Sequence, residues 1–460
     1  SDWSSDVCSS DLGKALHLRA GCALLEVPNT MKRVIEMGVV KELLQDVEIP
    51  KFYKVANKMD DTHIEDVAQA VRDALKREGT LDRIKPGSTV CFTAASREIA
   101  NSVLILRTFA EELKRIGATP YIVPAMGSHG GATAEGQRAI LEHYGITEEA
   151  CGCEIHATME TKKVGVSAEG LDVRLDAFAL SCDYIVPVAR IKPHTDFHGP
   201  FESGIMKMLA IGLGKQYGAS ICHMRGFDLM HINVPSFGRT ALKNCNIPFA
   251  IGLVENAFHQ THTIRAIPNE CIETEEPELL LLAKKLMATI PFEKVDVLML
   301  EQIGKEISGD GMDPNVVGRA YNYREKPFIH RIGVLDLSPK TGANFNGIGN
   351  ADATTRRILE KGSFEETYPN GITSITVEYM RIPAMLDNDK LCVQFCIRTC
   401  PYLGEPLKVM WTKDTLHMGE FYVSESLLKD VEANPALSTD GTLYQPVFDE
   451  NDNFTGFQAV

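Results

Sequence analysis

Residues 183–215 read DYIVPVARIKPHTDFHGPFESGIMKMLAIGLGK. The opening run, 183–188, is short and apolar, as a buried strand is. Pro193, Gly199 and Pro200 then surround His194 and His198, so a helix is excluded there and 191–202 reads as a loop. From Gly204 the chain turns apolar and helix-like, with Lys207 as its basic group. A loop dense in basic and imidazole side chains between a strand and a helix reads as a place where backbone and imidazoles meet a bound anion.

The same order precedes it. Residues 88–94 (STVCFTA) are a buried-strand run, and 99–116 an amphipathic helix that Gly117 is placed to stop. Residues 120–124 are a second strand, followed by the glycine loop MGSHGG at 126–131 and a helix that Thr133 can cap. Strands alternating with helices through short connections predict an α/β fold with parallel-rich sheets. Ligands of such sheets sit beyond the carboxyl ends of the strands. The loops 95–97, 126–131 and 191–202 all fall there, so one shared site is expected.

Further helices are expected at 30–47, 64–77 and 278–289. A second unit begins near 290, with a strand at 295–300, the glycine-rich loop EQIGKEISGDGMDPN (301–315), a strand at 331–337 and a helix at 352–361. The organisation read from this is a disordered, artefactual leader (1–12), an N-terminal α/β catalytic and cofactor-binding domain (13–289), a C-terminal α/β domain (290–424) and a polar tail (425–460).

Composition narrows the function. The 460 residues are 44% hydrophobic and 24% charged, as in a soluble globular protein. A net charge of −15 without a basic patch argues against nucleic acid and anionic membrane as partners, though not against a small anionic substrate. No apolar run has the length of a membrane span and no signal peptide is evident, so a cytoplasmic location is expected. The twelve cysteines are scattered; Cys151 and Cys153, and Cys392, Cys396 and Cys400, match no usual zinc spacing and read as buried, reduced thiols.

His129 stands at the tip of Gly127-Ser128-His129-Gly130-Gly131, where glycines let backbone approach a ligand. A solvated loop histidine is the equal alternative. Of His194 and His198, proximity to the strand end favours His194, and His198 reads as a polar loop residue. Lys207 either snorkels to solvent or is held at the ligand with a depressed pKa. His223 is a single metal ligand or a hydrogen-bonded, half-buried histidine. Residues 211–214 are no dinucleotide fingerprint, and neither a nucleophile elbow nor a phosphate-binding P-loop is present.

Taken together, MGSHGGATAEGQ, KPHTDFHGPFESGIMKM and GKEISGDGMDPNVVGR resemble the nickel-pincer lactate racemase family, in its broader branch of 2-hydroxyacid racemases and epimerases. The likeness runs from about 51 to about 423. It implies two α/β domains with parallel-rich sheets and the active site in the interdomain cleft. The implied cofactor is a nickel-pincer nucleotide, the nickel complex of pyridinium-3,5-bisthiocarboxylic acid mononucleotide. Its Ni(II) is held by one carbon, two sulfurs and a histidine, a donor set suited to square-planar nickel. Matched by motif, His129 and His194 are the implied acid–base pair, Lys207 the tether, His223 the nickel ligand, and Ala94, Ala95, Ser96 and Arg97 the cofactor-contacting segment. The reaction the resemblance implies is reversible hydride transfer between substrate and cofactor, with the two imidazoles moving the hydroxyl proton.

Two regions depart from the founding type. Ala94 replaces an aspartate, and Val317, Gly318 and Tyr321 replace residues that help bind lactate, with Arg319 as a replacement charge. Lys192, Gly318, Arg319 and Tyr321 are the expected substrate contacts, and the substrate expected is a small anionic 2-hydroxyacid larger or more polar than lactate. Cofactor-biosynthesis proteins are implied partners; the oligomeric state is left open. The competing readings are a metal-dependent lyase or hydrolase using the same histidines, and a non-catalytic cofactor-binding protein.

Overall fold

Thr89–Ala94 lies inside a four-stranded sheet, parallel to Thr119–Pro124 on one side and Tyr184–Val186 on the other, with Glu154–Ile155 at the edge. The coordinates are a computed structural model describing residues 38–401 and 403–460. The expected leader 1–12 and the first part of the helix expected at 30–47 lie outside the described residues. Ser102–Arg115 is the crossover helix. Its buried Ile105, Leu106, Phe109 and Leu113 face the sheet, and Phe109 meets Phe92 edge-on at 5.1 Å. Gly117 follows with φ +84°, which a glycine takes without strain.

The strand expected at 183–188 divides at Pro187. Tyr184–Val186 stays in the first sheet, whereas Val188–Arg190 runs parallel to Phe249–Glu255 in a three-stranded sheet completed by antiparallel Thr261–Pro268. Proline has no N–H for a ladder, and the Pro187 carbonyl accepts the Ile251 N–H at 2.8 Å. The buried Thr93 hydroxyl ties the two sheets: it accepts the Val188 N–H at 2.8 Å and donates to the Val188 carbonyl at 3.0 Å.

A ten-stranded mixed sheet occupies most of the rest. Its parallel part runs Ala384–Leu386, Ala353–Thr355, Phe328–Leu337, Lys294–Ile303, Val409–Thr412. Antiparallel Glu420–Ser424 and Phe52–Asn57 extend it. The stretch expected as a polar tail contains a hairpin, Leu443–Phe448 with Phe454–Ala459, that pairs onto Phe52–Asn57.

Two element readings change. Only Arg357–Lys361 of the helix expected at 352–361 is helical. Ala353–Thr355 is a strand paired on both sides, and the buried Thr354 and Thr355 hydroxyls donate to the Val334 and Leu335 carbonyls. The helix expected at 278–289 spans Ile272–Leu286, passing through Pro277. One missing N–H is offset there by burial of Ile272, Leu279 and Leu280. The ten described cysteines are free thiols. No helix among the described residues is long and apolar enough to cross a membrane.

These sheets place four loops alike. Residues 95–97, 126–131 and 191–202 leave the carboxyl ends of Thr89–Ala94, Thr119–Pro124 and Val188–Arg190, and 304–313 leaves that of Lys294–Ile303.

Candidate active site

The His129 loop is closed by glycine. Gly130 has φ +68°, and a Cβ there would lie 2.5 Å from the Gly136 carbonyl carbon. Thr133 caps the next helix, its hydroxyl accepting the Gly136 N–H at 3.0 Å. Beneath the loop, buried Gln137 donates to the Gly127 carbonyl at 2.8 Å and the His129 carbonyl at 3.4 Å. Lys215, fully buried, donates to Gln137 at 3.2 Å and to the Pro124 carbonyl, and pairs with Asp176 at 3.0 Å. The backbone of the loop is therefore pinned while the His129 ring is left accessible. Burial first, then the charges of Arg97, Lys305 and Lys207, hold its pKa well below the ordinary imidazole value.

The His194 loop is organised by a carboxylate. Buried Glu202 accepts the His194 N–H at 2.7 Å, the Gly199 N–H at 3.2 Å and the Lys284 ammonium at 2.7 Å. His198 Nδ1 lies 3.3 Å from the same carboxylate, which raises its pKa. His198 is thus a loop-holding group. The His194 ring is buried, tilted on Phe197 at 4.3 Å, and its Nδ1 accepts the Asp196 N–H at 3.0 Å. Burial first, then Lys207, His223 and Lys192, hold its pKa well below the ordinary value. From the far part of the chain, Asn315, Tyr323 and Asn322 donate to the consecutive carbonyls of His194, Thr195 and Asp196 at 3.0, 3.2 and 3.2 Å.

Lys207 joins the two loops electrostatically, since both histidines feel its charge. Its helical turn starts at Gly204, where the buried Glu276 carboxylate accepts the Met206 N–H at 3.1 Å. Burial lowers the Lys207 amine to about 8, against the opposing pull of Asp196 and Asp310. Lys192 is likewise lowered by burial, with Arg97 among its charged neighbours. His223 ends the helix Lys215–His223. Its Nδ1 lies 2.8 Å from the Ala219 carbonyl, so Nδ1 carries the proton and Nε2 keeps a free lone pair.

Three charged groups of this neighbourhood were not singled out from sequence. Lys305, lowered to about 8 by burial, comes from the 304–313 loop, and so does buried Asp310. Asp196, between the two sequence histidines, is raised to about 7 by burial and by Asp310. Their signal was present: GKEISGDG follows a parallel strand directly, the position already used for the other three loops.

Other expected site residues are placed differently. Ala94 packs into the core, while Ala95, Ser96 and Arg97 are half-buried in the loop behind it. Val317 is core, and Gly318 (φ +62°) turns against the Glu325 and Pro327 carbonyls. Buried Arg319 spends its guanidinium on Asp352 at 2.7 Å and on the Asn350, Ile329 and His330 carbonyls. Tyr321 stays near the loops, with Asp196 among its charged neighbours and Tyr379 edge-on at 5.7 Å. A polar cavity of about 500 Å³ borders Arg319, Tyr321, Asp352, Glu378 and Arg381, but none of the histidines lines it.

Residues 39–227 match the model of the lactate racemase N-terminal domain. Over this stretch the chain is lactate racemase-like. The stretch holds Arg97, His129, His194, Lys207 and His223 together. The lactate racemase apoprotein from Thermoanaerobacterium thermosaccharolyticum is similar over 79% of this chain and 98% of its own, at a TM-score of 0.47 and 12% identity. No curated protein matches. Among the described residues no three or more His, Cys, Asp or Glu side chains are grouped to hold a metal ion, so His129, His194 and His223 do not form the shared site a simple metallohydrolase would need.

Proposed function

We propose that the protein interconverts the configurations of a 2-hydroxyacid, as a racemase or epimerase, with a nickel-pincer nucleotide. The observation that carries the reading is that His129 and His194 stand on separate strand-end loops, share Lys207 as a charged neighbour and both have imidazole pKa values held well below the ordinary one.

The residues present suit such a cofactor. His223 offers an Nε2 lone pair to a metal whose other donors come from an organic group. The Lys207 amine, lowered to about 8, is a usable nucleophile for a tether. Half-buried Arg97 suits a phosphate. When bound, the cofactor supplies a reversible hydride acceptor for the substrate carbon.

The chain's own task is proton movement. A neutral imidazole takes the hydroxyl proton, and a second imidazole serves the opposite configuration. Lys192 and Lys305 give the substrate carboxylate cationic partners. An anion bound among them raises the depressed imidazole pKa values toward the working range. In neutral His194 the Asp196 N–H on Nδ1 leaves the ring proton on Nε2, where it can be donated. To accept a proton on Nε2 the ring must carry one on Nδ1, and Asp196 Oδ2, 3.6 Å away, is the acceptor at hand. The buried Asp196 Oδ1 and Tyr379 hydroxyl lie near each other without a well-formed hydrogen bond. Such groups favour a substrate carrying further hydroxyls over lactate with its methyl.

The test is protein made in a host that synthesises the nucleotide, followed by intact mass, metal analysis and chiral assay of lactate and polyhydroxy acids. His129→Ala and His194→Ala should lose turnover and keep nickel, and His223→Ala should lose nickel. Full turnover without either His129 or His194, or metal bound with no added organic mass, would reject the reading; lactate as the best substrate would reject only its substrate preference.

A further inference from the structure

Tyr323 stands two residues beyond Tyr321, an expected substrate contact, and its hydroxyl donates to the Thr195 carbonyl at 3.2 Å. That carbonyl and the Asp196 N–H belong to one peptide group, which is planar and rigid. The N–H end of the group donates to His194 Nδ1 at 3.0 Å. In a trans peptide the two ends point in opposite directions, so the phenol holds one end while the imidazole rests on the other. The Tyr323 ring also packs 5.1 Å from His198. Burial pushes its phenol pKa up, so it stays a donor at ordinary pH. Asn315 and Asn322 hold the carbonyls on either side, which belong to different peptide groups.

We infer that Tyr323 is a positioning residue for His194: its hydroxyl fixes the Thr195–Asp196 peptide, and that peptide sets the orientation and tautomer of the ring. The kinetic consequence rests on the proposed racemase reading, whereas the ring geometry does not.

The experiment uses the full chain with ¹⁵N-labelled histidine, comparing wild type, Tyr323→Phe and Asn322→Ser by ring ¹⁵N shifts and by Asp196 amide exchange. Wild type should show Nδ1 as the unprotonated nitrogen of neutral His194. Tyr323→Phe should show mixed tautomers and exchange about tenfold faster at Asp196, the scale of one lost hydrogen bond. Asn322→Ser frees a carbonyl of the next peptide and should leave the tautomer unchanged. In cofactor-loaded protein Tyr323→Phe should lower kcat about tenfold in the direction in which His194 donates its Nε2 proton, with KM within about twofold. A wild-type tautomer and exchange rate in Tyr323→Phe, or an equal tautomer shift in Asn322→Ser, would overturn the inference. Global unfolding of Tyr323→Phe would overturn it too, because the hydroxyl would then hold the fold and not the loop. A shifted tautomer in a protein that turns over no 2-hydroxyacid would support the positioning role while sinking the racemase reading.

Discussion

The two histidine loops are built in contrasting ways. The His129 loop is closed by Gly130 and pinned from below by Gln137, eight to ten residues along the chain, with Lys215 of the later helix Lys215–His223 bonded behind Gln137. The His194 loop has its own Glu202 on one side, but on the other it hangs on Asn315, Asn322 and Tyr323, from 121 to 128 residues away in sequence. One loop is thus held directly by a near neighbour in sequence. The other depends on how two distant parts of the chain lie against each other, and is the natural point at which such a relation could be felt by the chemistry.

The largest test of that contrast is removal of the rings themselves. His129→Ala and His194→Ala should each lower turnover by about 10²–10⁴-fold, the usual worth of a general acid–base group; chiral assays in both directions would show whether the pair is symmetric. A large loss in only one variant would break the pairing, whatever the loops look like.

Removing local support comes next. Lys215→Met leaves the fully buried Asp176 carboxylate without its cation and should cost about 3–5 kcal/mol in urea unfolding. Its local effect should fall on amide exchange at 126–131, with the His194 tautomer unchanged. An equal disturbance of both loops would show that the local and distant supports are not separate.

Glu202→Gln should cost about 1–3 kcal/mol, because the Lys284 ammonium and the His194 and Gly199 N–H groups lose a charged acceptor. Hydrogen exchange should quicken at 194–199 and not at 127–131.

The smallest expected effect is a pH dependence. Burial opposes ionisation of Glu202, but His198, Lys284 and the His194 N–H outweigh it and hold the carboxyl below the ordinary 4.5. A depressed folded-state pKa gives stability that is complete above the unfolded value and lost as pH falls through the folded one. Wild-type unfolding free energy should therefore fall below about pH 4.5 more steeply than that of Glu202→Gln. Parallel curves would mean that the carboxylate does not hold this loop through its charge.

The sequence by itself determined what is local. Glycines at 127, 130 and 131, the cap at Thr133, the prolines around His194 and the alternation of strand and helix patterns follow from φ freedom, missing N–H groups and side-chain period. These were enough to set the parallel sheets, the strand-end loops and the histidines on them. Only the tertiary structure decided which partner each segment meets. It divided the strand expected at 183–188 between two sheets at Pro187, turned Arg319 to Asp352, and brought Asp310 to Lys207, Lys305 to His129 and Tyr323 to Thr195. Those pairings join residues far apart in sequence, and neither composition nor spacing records them, because a contact across such a distance is chosen by the packing of whole sheets.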